Sequence, residues 1–181
     1  MSQEVSPASA AKQSAVEIIK ENSQGLRGTL AQELAAGSDH FGDADKQLLK
    51  FHGSYQQEDR DARKNRRKTG IGKHYMFMVR CKIPGGRLTA DQYLALDDLA
   101  GKYANGTLRI TSRQGIQLHG VLKGHLRDTI AGINDCLLTT LGACGDVNRN
   151  VMVDPSPACN QGLVEQLQAT GAFLSRAVPG G

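Results

Sequence analysis

Two arginines, a threonine, a glutamine and a histidine stand at alternate positions within TLRITSRQGIQLHG, residues 107–120. In an extended chain, side chains two apart project to the same side. Arg109, Thr111 and Arg113 are therefore expected on one face of a strand, and Gln117 and His119 on one face of the next. If the two strands pair as a hairpin, two guanidiniums, a hydroxyl, an amide and an imidazole converge. Such a surface suits carboxylates or phosphates, because each planar guanidinium fork takes an anionic oxygen pair in bidentate fashion. The ligand it predicts is polyanionic and larger than a single phosphate. The same alternation also describes a hairpin with one face in water, so spacing alone leaves both readings open.

Two more arginines extend the pattern. Arg80 lies inside MFMVRCKI, where a charge among apolar neighbours requires a partner or a polar cavity unless it is the strand's one exposed position. In DVNRN, Arg149 between two asparagines offers a positive charge and amide donors to a small oxyanion; equally, Asp146 and Asn148 are residues that cap turns. His119 is of the type that ligates metals or shuttles protons, but a lone strand histidine also serves as a hydrogen-bonded structural residue.

Seven of the 22 basic residues crowd into residues 60–73, RDARKNRRKTGIGK, read as a surface loop. No aromatic residue is interleaved with these charges, so stacking platforms for bases are missing and nucleic acid is not the expected partner. A solvated surface and an electrostatic dock for an acidic protein both remain, and the rival function reading is a non-enzymatic binding module that uses 60–73 for an acidic partner or, less expected, nucleic acid. The cysteines, Cys81, Cys136, Cys144 and Cys159, are 55, 8 and 15 positions apart, which matches no zinc or iron–sulfur spacing. No metal ligand is assigned.

The elements that must position these residues follow from periodicity. Residues 1–12 are small, polar and aperiodic, and are expected to be mobile. Two short helices follow, with Gly25 between them and Gly37 stopping the second. LLKFHGSYQ (48–56) reads as a strand or extended arm. YMFMVRCKI is a buried-type strand, PGG a turn, and Thr89 the N-cap of a helix through ADQYLALDDLAGKY, with Tyr93, Leu96, Leu99 and Ala100 on its packing face. TLRITS and GIQLHGVL read as strands, LRDTIAGINDCLLTTL as a second amphipathic helix, and residues 161–176 as a last helix. Strand, helix, strand, strand, helix is most of a ferredoxin-like βαββαβ unit, an α+β fold. The expected organisation is a flexible N-terminus with short helices at 1–47, a ferredoxin-like half-domain at 48–141, and the start of a further module at 142–181.

An ordinary composition, 39% hydrophobic and 22% charged, excludes a fibre or wholesale disorder. No run of about eighteen apolar residues and no secretory leader pattern occurs, which predicts a cytoplasmic protein without a membrane span.

In order, KFHGSYQQEDRD, FMVRCKIPGG, LRITSRQGIQLHGVLK and LGACGDVNRNV resemble the N-terminal half of sirohaem sulfite reductases, and less closely sirohaem nitrite reductases. The resemblance covers about residues 48–153. It implies a ferredoxin-like half-domain packed on sirohaem-binding modules, and six-electron reduction of sulfite to sulfide at a sirohaem coupled to a 4Fe–4S cluster. It also implies that Arg80 and Arg149 contact sulfite, and that Arg109, Thr111, Arg113, Gln117 and His119, with Ser112 and Asn150, contact the cofactor. The implied electron donor is ferredoxin or a flavoprotein subunit, with the wording of the motifs leaning to ferredoxin. The four-cysteine motif and the paired lysines of the family are not found, so the cluster ligands are expected in a missing C-terminal half and the isolated chain is expected to be inactive. A shortened chain, a partial gene product and one half of a split enzyme are all compatible with this.

Overall fold

The computed structural model describes residues 13–144, 148–154 and 160–177. Helices α1 (Ala15–Glu21), α2 (Leu30–Ala35) and α3 (Asp43–Phe51) lead into strand β1 (Ser54–Glu58) and helix α4 (Arg60–Lys68). Strand β2 (Tyr75–Cys81), helix α5 (Ala90–Tyr103), strands β3 (Leu108–Ile110) and β4 (Ile116–Val121), and helices α6 (Leu126–Asp135) and α7 (Gln161–Ala177) complete the order.

The four strands form one antiparallel sheet in the order β1-β2-β4-β3. β2, α5, β3, β4 and α6 follow the ferredoxin-like path. The position beside β2 that a strand following α6 would occupy is taken by β1, which precedes the unit. Among the described residues after α6, a single bridge reaches the end of β2, Lys82 to Thr139.

Alternation along β2 puts Phe77, Val79 and Cys81 on the face where Leu118 and Ile116 of β4 sit opposite Val79 and Cys81. That face is dry. Phe77, Val79, Leu118, Leu96 of α5 and Ile133 of α6 are all fully buried in one cluster. α5 starts where expected because Thr89 and Gln92 form a reciprocal capping box, Thr89 Oγ1 accepting from Gln92 N and Gln92 Oε1 accepting from Thr89 N. Its packing stripe is narrower than the apolar spacing predicted. Leu96 and Ala100 are buried and Leu99 packs against the core, but Tyr93 is 50% exposed.

Residues 48–56 are not one strand or arm. Leu48–Phe51 close α3, whose first turn carries Asp43 and Asp45 at the positive end of the helix dipole and whose Leu48 and Leu49 are buried. The chain then reverses at Gly53, with φ of +77°, before β1 begins. The expected boundary at 47/48 thus falls inside a helix, and Leu30, Leu34 and Phe41 pack into the same core as the strands. The basic segment is likewise helical over Arg60–Lys68, since arginine, lysine and alanine are good helix formers. Asp59 serves its first turn by accepting from Ala62 N at 3.1 Å. Residues 1–12, expected to be mobile, lie outside the described residues, as do Asp146 and Cys159. Among the described residues no helix is long and apolar enough to cross a membrane.

Gly53 admits no side chain. A Cβ there would lie 2.2 Å from the Thr140 carbonyl oxygen, on a left-handed backbone. Gly53→Ala is expected to lower stability by at least about 2 kcal/mol, read as a shift in urea midpoint at unchanged slope.

Candidate functional site

The sheet register builds the site. Arg80 of β2 is opposite Gln117 of β4, and Gln117 is opposite Arg109 of β3, so the three side chains form one row across the sheet on the face away from the buried cluster. β3 ends at Ile110, and Thr111, Ser112 and Arg113 therefore do not continue its alternation. They lie in a turn closed by Thr111 N donating to Gly115 O at 2.8 Å and by Gly115 N donating to the Thr111 hydroxyl at 3.1 Å. Gly115 lets the turn lie close to β2, since a Cβ there would be 3.1 Å from Cys81 O, a tight approach to backbone.

The segment 148–154 is clamped against this turn. Asn150 Nδ2 donates to Ile83 O at 2.6 Å and Arg113 O at 2.8 Å. Gln114 pairs its amide with the backbone of Val153, donating to its carbonyl at 2.7 Å and accepting from its N–H at 3.1 Å. Gly85 N donates to Val151 O. These bonds hold Arg149 over the row of β-strand side chains.

The result is a cavity of ≈ 370 Å³ whose lining includes Arg80, Arg109, Thr111, Ser112, Arg113, Gln117, Arg149 and Asn150. His119 is not in its wall. It stands behind Gln117, within hydrogen-bond reach at 3.0 Å. No carboxylate is among the described residues lining the cavity. Among the described residues the guanidiniums of Arg109 and Arg113 make no ion pair or hydrogen bond to protein, so both forks are open to a ligand. Arg80 is half-buried, with Nη1 donating to Ala143 O at 3.4 Å.

Gln117 is oriented by its neighbours. With its amide oxygen toward Arg80 it accepts from Nη2 at 2.5 Å and Nε at 2.9 Å, and its nitrogen donates to His119 Nε2 at 3.0 Å. This is the arrangement that matches donors to acceptors. It requires a neutral imidazole, and burial, followed by the charges of Arg109 and Arg80, holds the His119 pKa below the ordinary value.

The thiols nearby are not poised as ligands. Burial pushes Cys81 up to about 12, with Cys136 adding to the rise. Burial also raises Cys144, against the opposing charges of Arg80 and Arg149. Among the described residues no group of three or more His, Cys, Asp or Glu side chains is placed to hold a metal ion.

Two residues of the site were not singled out by type and spacing. Lys82 lines the cavity and is 7% exposed, its Nζ donating to Ser175 O near the C-terminal end of α7 at 3.3 Å, with burial pulling its pKa down. The rule of alternate positions, applied from Arg80, reaches it. Gln114 carried no such signal, since its left-handed φ of +58° is uncommon for glutamine.

Residues 70–136 match the model of the "Nitrite/Sulfite reductase ferredoxin-like half domain" family. The chain is 54% identical over 146 residues to the sulfite reductase [NADPH] hemoprotein beta-component of Geobacillus kaustophilus, a match covering 78% of this chain and 25% of that protein. It is 52% identical over 159 residues to the protein of the same description from Shouchella clausii, covering 86% and 27%. The chain thus spans about a quarter of the length of these relatives. Among solved structures, the Mycobacterium tuberculosis NirA protein aligns with a TM-score of 0.65 at 24% identity over 78% of this chain and 27% of that one, a likeness of fold. Residues 70–136 are thus a nitrite/sulfite reductase ferredoxin-like half-domain, and about half of the aligned positions, over most of the chain, are identical to one portion of sulfite reductase hemoproteins.

Proposed function

We propose that this chain supplies one wall of the anion and cofactor site of a cytoplasmic sulfite reductase, in which sulfite is reduced to sulfide. The observation that supports this reading best is a cavity lined by Arg80, Arg109, Arg113 and Arg149 with no carboxylate among the described residues of its wall. Sirohaem fits the donor set in kind: the open forks of Arg109 and Arg113 match its many peripheral carboxylates. In size, ≈ 370 Å³ accommodates one carboxylate-bearing edge of such a macrocycle, so the remainder of its pocket comes from outside these residues.

In this reading sirohaem, fed with electrons from a 4Fe–4S cluster, supplies the redox chemistry. Arg109 and Arg113 bind and orient its carboxylates, and Ser112 adds a hydroxyl. The amide nitrogen of Asn150 is already used to clamp the neighbouring loop, so it shapes the cradle, whereas Thr111, whose hydroxyl oxygen accepts from Gly115 N, keeps its O–H to donate to a carboxylate. Arg80 and Arg149 face the small oxyanion, neutralising its charge and holding hydrogen-bond donors against the oxygens that leave as water. Cluster ligands lie outside this segment. The descriptions of the relatives favour sulfite over nitrite, and a flavoprotein component fed by NADPH over ferredoxin as the electron donor.

The test is an ultraviolet–visible titration of the chain with sirohaem, beside the Arg109→Ala/Arg113→Ala variant. Losing two charge-assisted anchors is expected to weaken binding at least about tenfold. Equal binding in both proteins, or none in the parent, rejects the cofactor reading.

A further inference from the structure

We infer that Gln117 is a positioning residue whose side-chain amide couples the protonation state of His119 to the aim of the Arg80 guanidinium. The coupling stands on the geometry of three side chains. Its consequence for catalysis rests on the reading of Arg80 as a sulfite contact.

A primary amide has two unlike ends, and here each end meets a group that accepts only one of them. Arg80 is donor-only. It presents Nη2 and Nε to the same atom of Gln117, at 2.5 and 2.9 Å, and that atom must be the oxygen. His119 Nε2 is 3.0 Å from the other end. A neutral imidazole with its proton on Nδ1 accepts there, and the three groups are mutually satisfied.

Protonation reverses one of these demands. The Nε2 of an imidazolium is a donor, and it needs the amide oxygen. Rotation of the amide by half a turn meets that need, with Gln117 Oε1 then 3.0 Å from His119 Nε2. The same rotation sets the NH2 group against the N–H groups of Arg80, and both bonds to the guanidinium are lost. Arg80 is then left with its long contact to Ala143 O at 3.4 Å. Neutral His119 therefore locks the guanidinium, and protonated His119 releases it.

The groups facing His119 favour the locked state. Arg109 of β3 and Arg80 of β2 act on it with positive charge, and Gln117 is its neighbour on β4. Cys144 stands next to Arg80 and Arg149 as a protonated thiol and brings no negative charge. With a folded pKa below 6.5, the relay's contribution is complete above pH 6.5 and is lost as pH falls through the folded value.

The experiment is side-chain nuclear magnetic resonance on the 181-residue chain, which requires no cofactor. Long-range proton–nitrogen correlation identifies the His119 tautomer, and the Arg80 Nε–H resonance is followed through the same pH titration. The expected result is an Nδ1-protonated His119 at pH 7.5 and an Arg80 resonance that moves with the His119 midpoint. Gln117→Met is expected to abolish the Arg80 response. Gln117→Glu, which accepts from both partners and donates to neither, is expected to raise the His119 midpoint by about one pH unit.

An Nε2-protonated His119 at pH 7.5 in the parent overturns the inference without any variant. So does an Arg80 resonance that ignores the titration, or one that still follows it in Gln117→Met with the backbone spectrum retained. Failure of the sulfite reading leaves these spectra unchanged, because it is seen in turnover.

Discussion

Arg80→Ala, made in a reductase polypeptide containing this segment, is expected to lower kcat/KM for sulfite by on the order of 100-fold, with sirohaem content retained. The size follows from what is removed. The guanidinium is half-buried, faces a cavity that no described carboxylate lines, and is held by two hydrogen bonds from one side. A preorganised donor in such a site needs no reorientation when charge develops on the substrate. Arg80→Lys keeps the charge and loses the fork, so an intermediate rate is expected. Steady-state kinetics with a cofactor-to-protein ratio for each variant checks this. A rate within twofold of the parent would remove Arg80 from the chemistry.

The largest stability effect is expected at Phe77. Its ring is fully buried, meets Phe41 edge-to-face at 5.6 Å, and lies where β2 passes between β1 and β4. Phe77→Ala leaves a cavity in a core closed on that side by α5 and α6, and about 3–5 kcal/mol of stability is expected to go with it. For a chain of this length that corresponds to roughly 10 °C in Tm, measurable by circular dichroism or calorimetry. Phe77→Leu, which refills part of the volume, is expected to recover more than half of the loss.

Both sites lie on one strand whose character was plain from MFMVRCKI: an apolar run interrupted by a single guanidinium. α5 was equally legible, because a capping box and a helical stripe agree on its limits. Local patterns misled where a short apolar group fits two periods. Leu48, Leu49 and Phe51 read as extended, yet acidic residues one turn earlier and a left-handed glycine two residues later make them the end of a helix. The basic run reads as a loop on its polarity, although most of its residues, arginine, lysine and alanine, are strong helix formers. Arg109 and Arg113 were placed on one side by strand alternation, and they do share a cavity, but a five-residue turn sets the second one there. The clamp by Gln114 and Asn150 depends on backbone atoms far away in the chain, and no spacing rule reaches such contacts.

Because the outer neighbour of β2 is encoded upstream of it, a ribosome releases that neighbour first. When β2 emerges, a template already waits, and the pairing needs a connection of only sixteen residues between Glu58 and Tyr75. In a permuted order, with the same partner placed downstream, the flank of β2 would stay bare through the synthesis of two helices and two strands, open to annealing with another nascent chain. The arrangement also leaves the described residues after α6 with no more than the Lys82–Thr139 bridge to make at the sheet, so that 148–154 are at liberty to run across the arginine row.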